Sequence, residues 1–134
     1  MNEKTINICG KEVRMLYCAA TEKGFEQLSD SDMSVFSPKF GKDYEGNDIV
    51  LEPARAKSSD YITLATAAII AAYSRTNEEP PISSEDILYN ASASEIAQLM
   101  TTVAQLRMEW YSLPKTVADK VKQESEGKTE TAKN

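Results

Sequence analysis

The chain contains no histidine at all. That removes the commonest general base, the usual metal ligand and the partner of every Ser-His or Cys-His nucleophile. Cysteine is scarce too. Cys9 and Cys18 stand outside any CxxC pair, which argues against a structural zinc site. The five glycines are scattered. Gly41 and Gly46 bracket Lys42 and Asp43, but no Lys-Ser/Thr follows, so this is not a phosphate loop. Apolar runs are short. None approaches the roughly 20 residues of a membrane span. The polar start, Met1 to Thr5, lacks the basic and apolar blocks of a secretory signal. With 15 basic against 21 acidic residues the net charge is −6. This balance argues against nucleic acid or anionic membrane as a partner, because phosphate binding needs concentrated Lys and Arg.

What is present suits one soluble domain. There are 134 residues, 41% apolar and 27% charged, enough to bury a core. The N-terminus reads as a β-hairpin over residues 4–18. Ile6 and Ile8 alternate with polar residues, Gly10-Lys11 offers a type II′ turn, and Val13, Met15 and Tyr17 resume the alternation. This register sets Ile8 opposite Val13 and Ile6 opposite Met15. It also leaves Cys9 and Cys18 roughly 20 Å apart at about 3.3 Å per residue, whereas a disulfide needs Cα atoms within about 7 Å. Both are read as buried thiols in a reducing compartment, with a cytosolic location as the expectation.

Helices occupy most of the remainder, residues 20–114. A short one is expected from Thr21, as its cap, to Leu28. Ser29-Asp30-Ser31-Asp32 ends it or caps a further turn. Between residues 37 and 58, Pro38, Gly41, Gly46, Asn47 and Pro53 break every period, and a long loop is expected, with Ile49-Val50-Leu51 as one brief strand or an anchor. From Asp60 to Arg75 the stripe Tyr61, Leu64, Ala65, Ala68, Ile69, Ala72, Tyr73 marks an amphipathic helix, widened by Ile62 and Ile70. Ser58, Ser59 or Asp60 is expected to cap it, and Asn77 to Pro81 to stop it. Ser83 caps a short helix to Tyr89. Ser92 and Glu95 have the spacing of a capping box. They open a helix to Tyr111 with the stripe Ile96, Leu99, Met100, Val103, Leu106, Met108, Trp110. The fold expected is mainly α (α+β): an N-terminal β-hairpin followed by a small bundle of about four helices in one domain, 1–114. The polar segment 115–134 carries five lysines and four acidic residues. It is read as a largely disordered tail, with a frayed helix from Thr116 to Gln123.

The acidic clusters are the remaining candidates for chemistry. Asp43, Glu45 and Asp48 alternate near Gly46, but an EF-hand loop counted from Asp43 meets Asp48 where glycine is required, so a solvated turn is the better reading. Glu78-Glu79 and Glu85-Asp86 are the closest carboxylate pairs. Capping and solvation account for them. Neither a catalytic residue, a metal nor a cofactor is expected, and the chain reads as a binding protein. Arg107, Trp110 and Tyr111 read equally as core packing or as a binding hot spot, for which these residue types are favoured.

Three stretches carry a family resemblance: Asp60-Tyr-Ile-Thr-Leu-Ala-Thr-Ala-Ala-Ile-Ile-Ala-Ala-Tyr73, Pro80-Pro-Ile-Ser-Ser-Glu-Asp-Ile-Leu88, and Glu95-Ile through Leu106-Arg-Met-Glu-Trp-Tyr111. In the order hairpin, short helix, loop, alanine-rich helix, short helix, long helix, residues 4–114 resemble a phage tail assembly chaperone. The resemblance implies a protein of the bacterial host cytoplasm, of phage or prophage origin, absent from the finished particle. It implies no catalytic residues. The partners it implies are the tape-measure protein and the tail tube protein, and the polar end resembles the junction before a frameshifted extension. The expected mechanism is helix capture in a groove between the helices at 60–75 and 96–111. Tyr61, Ile62, Ile69, Tyr73, Met100, Arg107, Trp110 and Tyr111 are the candidate partner-binding residues. Excess apolar helix surface points to a homo-oligomer, a ring or a dimer. A structural tail component (a completion or connector protein), a small cytosolic adaptor, and an enzyme built on Glu78, Glu79, Glu85 and Asp86 remain as alternatives.

Overall fold

Apolar alternation at the N-terminus builds the antiparallel hairpin β1 (Glu3–Ile8) and β2 (Lys11–Leu16). The computed structural model describes residues 2–111; the segment 115–134 and the helix expected at its start lie outside them. The turn differs from expectation. Ile8 pairs with Lys11 and Ile6 with Val13, so Cys9-Gly10 forms the turn, with φ of 55° and 77°. Two positive φ values make a type I′ geometry instead of II′. The register therefore slips by two residues. A slip of two keeps every side chain on its own face, and Ile6, Ile8, Val13 and Met15 are buried as expected. What holds this turn is tertiary: the Cys9 N–H donates to Glu95 Oε2 at 3.1 Å. Both cysteines are half-buried thiols.

Helix α1 spans Ala19–Leu28, with Cys18 in the N-cap position. Thr21 is its third residue, not its cap. The Thr21 hydroxyl accepts from the Cys18 N–H at 3.2 Å and donates to the Leu16 carbonyl at 2.6 Å. Asp32 then caps a 3-10 turn, Met33–Phe36, by accepting from the Ser34 N–H at 2.9 Å. The expected loop at 37–58 instead contains a second hairpin, β3 (Lys39–Lys42) with β4 (Asp48–Glu52). Asp43 makes its turn: Oδ1 accepts from the N–H groups of Glu45 and Asn47, each at 2.9 Å. Gly46 supplies φ +85°. These donors, the Asn47 N–H first, hold the Asp43 carboxyl below the usual carboxylate range. Asp43, Glu45 and Asp48, whose alternation resembles that of a calcium loop, thus belong to the hairpin.

Helix α2, Ser58–Arg75, runs through the middle of the molecule, against α1, β2 and α4. Its N-cap is Lys57, and Asp60 reaches back to accept the Lys57 N–H at 2.9 Å. Its small residues permit close packing: a Cβ at Gly24 of α1 would lie 3.3 Å from the Ala67 Cβ. Asn77, at φ +58°, ends the helix. The Glu78 N–H returns to the Tyr73 carbonyl at 2.8 Å and the Asn77 N–H to Ser74 at 3.1 Å. That is the Schellman pattern, so the stop comes before Pro80 and Pro81.

Helix α3 spans Ser84–Asn90, with Ser83 and Asp86 in a reciprocal box of 3.1 and 3.0 Å. Helix α4 spans Ala93–Tyr111. Its start is the expected box: Glu95 N–H to Ser92 Oγ at 3.2 Å and Ser92 N–H to Glu95 Oε1 at 2.9 Å. The architecture is mainly α with a β-hairpin at the N-terminus. No helix among the described residues is long and apolar enough to cross a membrane.

Candidate functional site

The seam between α2 and α4, expected to form a groove, is closed. Leu64, Ala65 and Ala68 of α2 and Leu99, Val103 and Leu106 of α4 have no exposed surface. Alanine on one side and Leu or Val on the other let the helices interlock, leaving no room for a foreign helix. Of the candidate residues nearest this seam, Met100 is half-buried. Tyr73 is buried and occupied internally. Its hydroxyl accepts from the Arg14 N–H at 3.1 Å, and the Arg14 guanidinium lies 4.3 Å over its ring. Arg14 also pairs with Glu78, so a member of the first carboxylate pair is committed to the fold.

Tyr61, Arg107, Trp110 and Tyr111 are brought together at the far end of α4. The Tyr61 ring meets Phe36 at 5.0 Å, and Phe36 meets Phe25 at 5.1 Å. Trp110 packs against Tyr17 at 5.5 Å and Tyr111 at 5.0 Å. One carboxylate clasps this end: Glu22 Oε2 accepts from Tyr17 at 2.8 Å and Tyr111 at 2.5 Å. Burial, and then the Glu22 carboxylate, push both phenols above their ordinary range, so both stay protonated donors. The Arg107 guanidinium lies between the Phe36 and Tyr111 rings, 5.5 and 5.1 Å from their centroids. Its buried Nε has no hydrogen-bond partner among the described residues. A shallow hollow of about 320 Å³ borders this cluster.

Ile62 and Ile69 belong to a different place, an open cleft of about 620 Å³ between α2, α3 and the end of α1. Its walls include Leu28, Ile62, Ile69, Ile70, Ile87 and Leu88. Ile82 and Ile87 anchor the 79–90 segment in the core, while Ile70 and Leu88 stay 43% and 64% exposed. The cleft exists because α3, seven residues long, covers only part of α2. Ile70 carried a signal, its place beside the main stripe. Leu28 reads in the sequence as the apolar partner of Phe25 at the end of a helix, yet it is exposed; Leu88 was not singled out, since single apolar residues near helix ends are ordinary. At the rim, the Asp86 carboxyl is held below the usual range, chiefly by the Ser83 N–H.

The β3–β4 ribbon was also missed as a surface. Phe40, Tyr44, Val50 and Leu51 are exposed, Tyr44 entirely. Phe40 and Val50 are cross-strand partners, and Leu51 lies over Gly41 on the bulged strand. Ion pairs Lys39–Glu52 at 3.6 Å and Lys42–Asp48 at 2.6 Å flank these apolar residues.

Among the described residues, no three His, Cys, Asp or Glu side chains converge as a metal site would need. The arrangement offers apolar surface with charged margins, suited to holding a polypeptide segment. No protein-family model, no curated protein and no solved structure matches the chain.

Proposed function

We propose that this chain is a phage tail assembly chaperone that binds the tape-measure protein and assists assembly of the tail tube. The observation that carries this reading is the open cleft beside α2, where Ile62, Ile70, Leu28 and Leu88 stand together around about 620 Å³ of unfilled space. Contiguous exposed apolar surface on a small domain marks a place for a partner. A long helical client with apolar stripes is the kind of partner such a cleft takes. The resemblance of residues 4–114 to tail assembly chaperones implies the tape-measure protein as that client. The docking place is the α1–α2–α3 face, since the α2–α4 seam is filled by the chain's own side chains.

Co-expression with the tape-measure gene is the test. The client remains in the soluble fraction with the native chain and precipitates with the double variant Ile70→Asp/Leu88→Asp. Both positions are exposed, so the variant keeps its fold, as circular dichroism would verify. A client equally insoluble with and without the native chain rules the function out.

A structural tail component is a second reading, favoured by the β3–β4 ribbon. A two-stranded hairpin is marginal alone in water, and open strand edges join readily to another chain. Mass spectrometry of purified particles separates the readings: a chaperone is missing from mature tails, and a structural component is present.

A further inference from the structure

We propose that the face shared by α1, α2 and α3 receives an amphipathic helix of a particular charge pattern: carboxylates along one flank of its apolar stripe and basic side chains along the other. The proposal rests on the client-helix reading above and specifies the helix. Two hollows adjoin on this face. The first is the cleft just described. The second, about 580 Å³, lies between α1 and α2. Leu28 and Ile70 border both hollows and form a ridge between them. Side chains of an incoming helix on either side of this ridge drop into the two hollows, as ridges and grooves interlock between packed helices. The floor of the second hollow is made of small residues, Gly24, Ala67 and Ala71, so the incoming backbone can approach closely.

The outer walls differ in sign. Lys23 and Arg75 line the hollow on the α1 side. Glu79 and Asp86 line the one on the α3 side. Lys23, Arg75 and Glu79 are exposed, and among the described residues none has an ion-pair partner. The chain's overall charge of −6 would favour a uniformly basic ligand. Close to the apolar ridge the local pattern overrides it, because charges across an interface act within about a Debye length, roughly 10 Å. A helix basic on both flanks meets Lys23 and Arg75. One acidic on both flanks meets Glu79 and Asp86. Only the mixed helix avoids like charges on both sides, and such juxtapositions discriminate between partners.

The test uses the full chain and three labelled peptides of about 18 residues, long enough to hold a helix. They share one leucine and alanine stripe and carry flanks Glu/Lys, Lys/Lys or Glu/Glu. Fluorescence anisotropy at about 0.1 M salt, where the Debye length is about 10 Å, is expected to give about tenfold tighter binding of the mixed peptide than of either uniform one. The preference shrinks as salt rises to about 0.5 M. Glu79→Lys moves the preference toward the Glu/Glu peptide, and Lys23→Glu/Arg75→Glu moves it toward Lys/Lys. Equal binding of the three peptides, no binding, or preferences that the variants leave unmoved would overturn the proposal. So would displacement of the probe by a peptide of residues 115–134, or its loss as the chain self-associates in sedimentation. Those results give the face to the chain's own terminus or to a second copy. If the tape-measure protein stays soluble on co-expression while the peptides go undistinguished, the charge pattern is wrong and the function stands. If the peptides are distinguished and the client still precipitates, the function falls and the docking face stands.

Discussion

Thr21 is without exposed surface, and its hydroxyl serves two backbone groups. It takes the Cys18 N–H at the start of α1 and gives its proton to the Leu16 carbonyl at the end of β2. The residue thereby fixes the angle at which the hairpin turns into the helix. Thr21→Val keeps the shape and strands both groups. The cost expected is about 1–3 kcal/mol, the desolvation penalty of unsatisfied buried polar groups. Urea unfolding of the two proteins measures it, and a midpoint equal to that of the native chain would contradict this role. Glu95 also bonds twice, to the N–H groups of Ser92 and Cys9. Its helix-capping role was legible in the spacing Ser92-x-x-Glu95. Its hold on the Cys9-Gly10 turn was not, because the two positions are 86 residues apart in the chain.

Among the elements, α1 and α2 depend on a missing side chain. Gly24 faces Ala67 at a spacing that leaves a Cβ 3.3 Å from its neighbour. Glycine inside a helix costs about 1 kcal/mol relative to alanine, and the close approach it allows offsets this. Gly24→Val, which adds this Cβ and two carbons beyond it, pushes the helices apart. About 1–3 kcal/mol of stability is expected to be lost, as for other overpacked sites, with α1 amides losing hydrogen-exchange protection first. Retention of both stability and protection would show that the contact is slack. The helices were legible to within about three residues at their starts and one at their ends, because their buried faces impose a period on the sequence. Of the β3–β4 hairpin only a brief strand at Ile49-Val50-Leu51 was legible, and its pairing with β3 was not. Phe40, Ile49, Val50 and Leu51 are all exposed, and a ribbon wet on both faces leaves no alternation to read. Gly41 and Gly46 then looked like breakers, although Gly46 is the positive-φ residue of the turn.

For the molecule as a whole, several carboxylates contribute to stability through local bonds. Glu95, Glu78 and Asp86 are all held below their ordinary range. The leading causes are, in turn, the Ser92 N–H, the Thr76 hydroxyl and the Ser83 N–H. A depressed carboxyl adds stability above its unfolded-state value and loses it as pH falls through the folded-state value. The melting temperature is therefore expected to hold between pH 7 and about pH 5 and to fall below about pH 4, the ordinary carboxylate range. Glu95→Gln removes one contributor. Its deficit against the native chain should be larger at pH 7 than at pH 3 in thermal melts followed by circular dichroism. A deficit independent of pH would mean that Glu95 acts through shape and not through charge.

Burial period, read from the sequence alone, was enough to place the N-terminal hairpin, the helices and most of their inward faces; capping spacing was enough at Ser83 and at Ser92 with Glu95, while α1 and α2 start from Cys18 and Lys57 instead. Each of these is a local property, set within a few residues by dihedral preference and by which side chains avoid water. Tertiary structure decided where the exposed apolar surface ended up. It closed the α2–α4 seam expected to hold a client, and it opened a cleft beside α3. The same stripe predicts either outcome, because periodicity says that a face is apolar and not what covers it. Coverage depends on the lengths and crossing of neighbouring helices, and α3 is too short to cover α2.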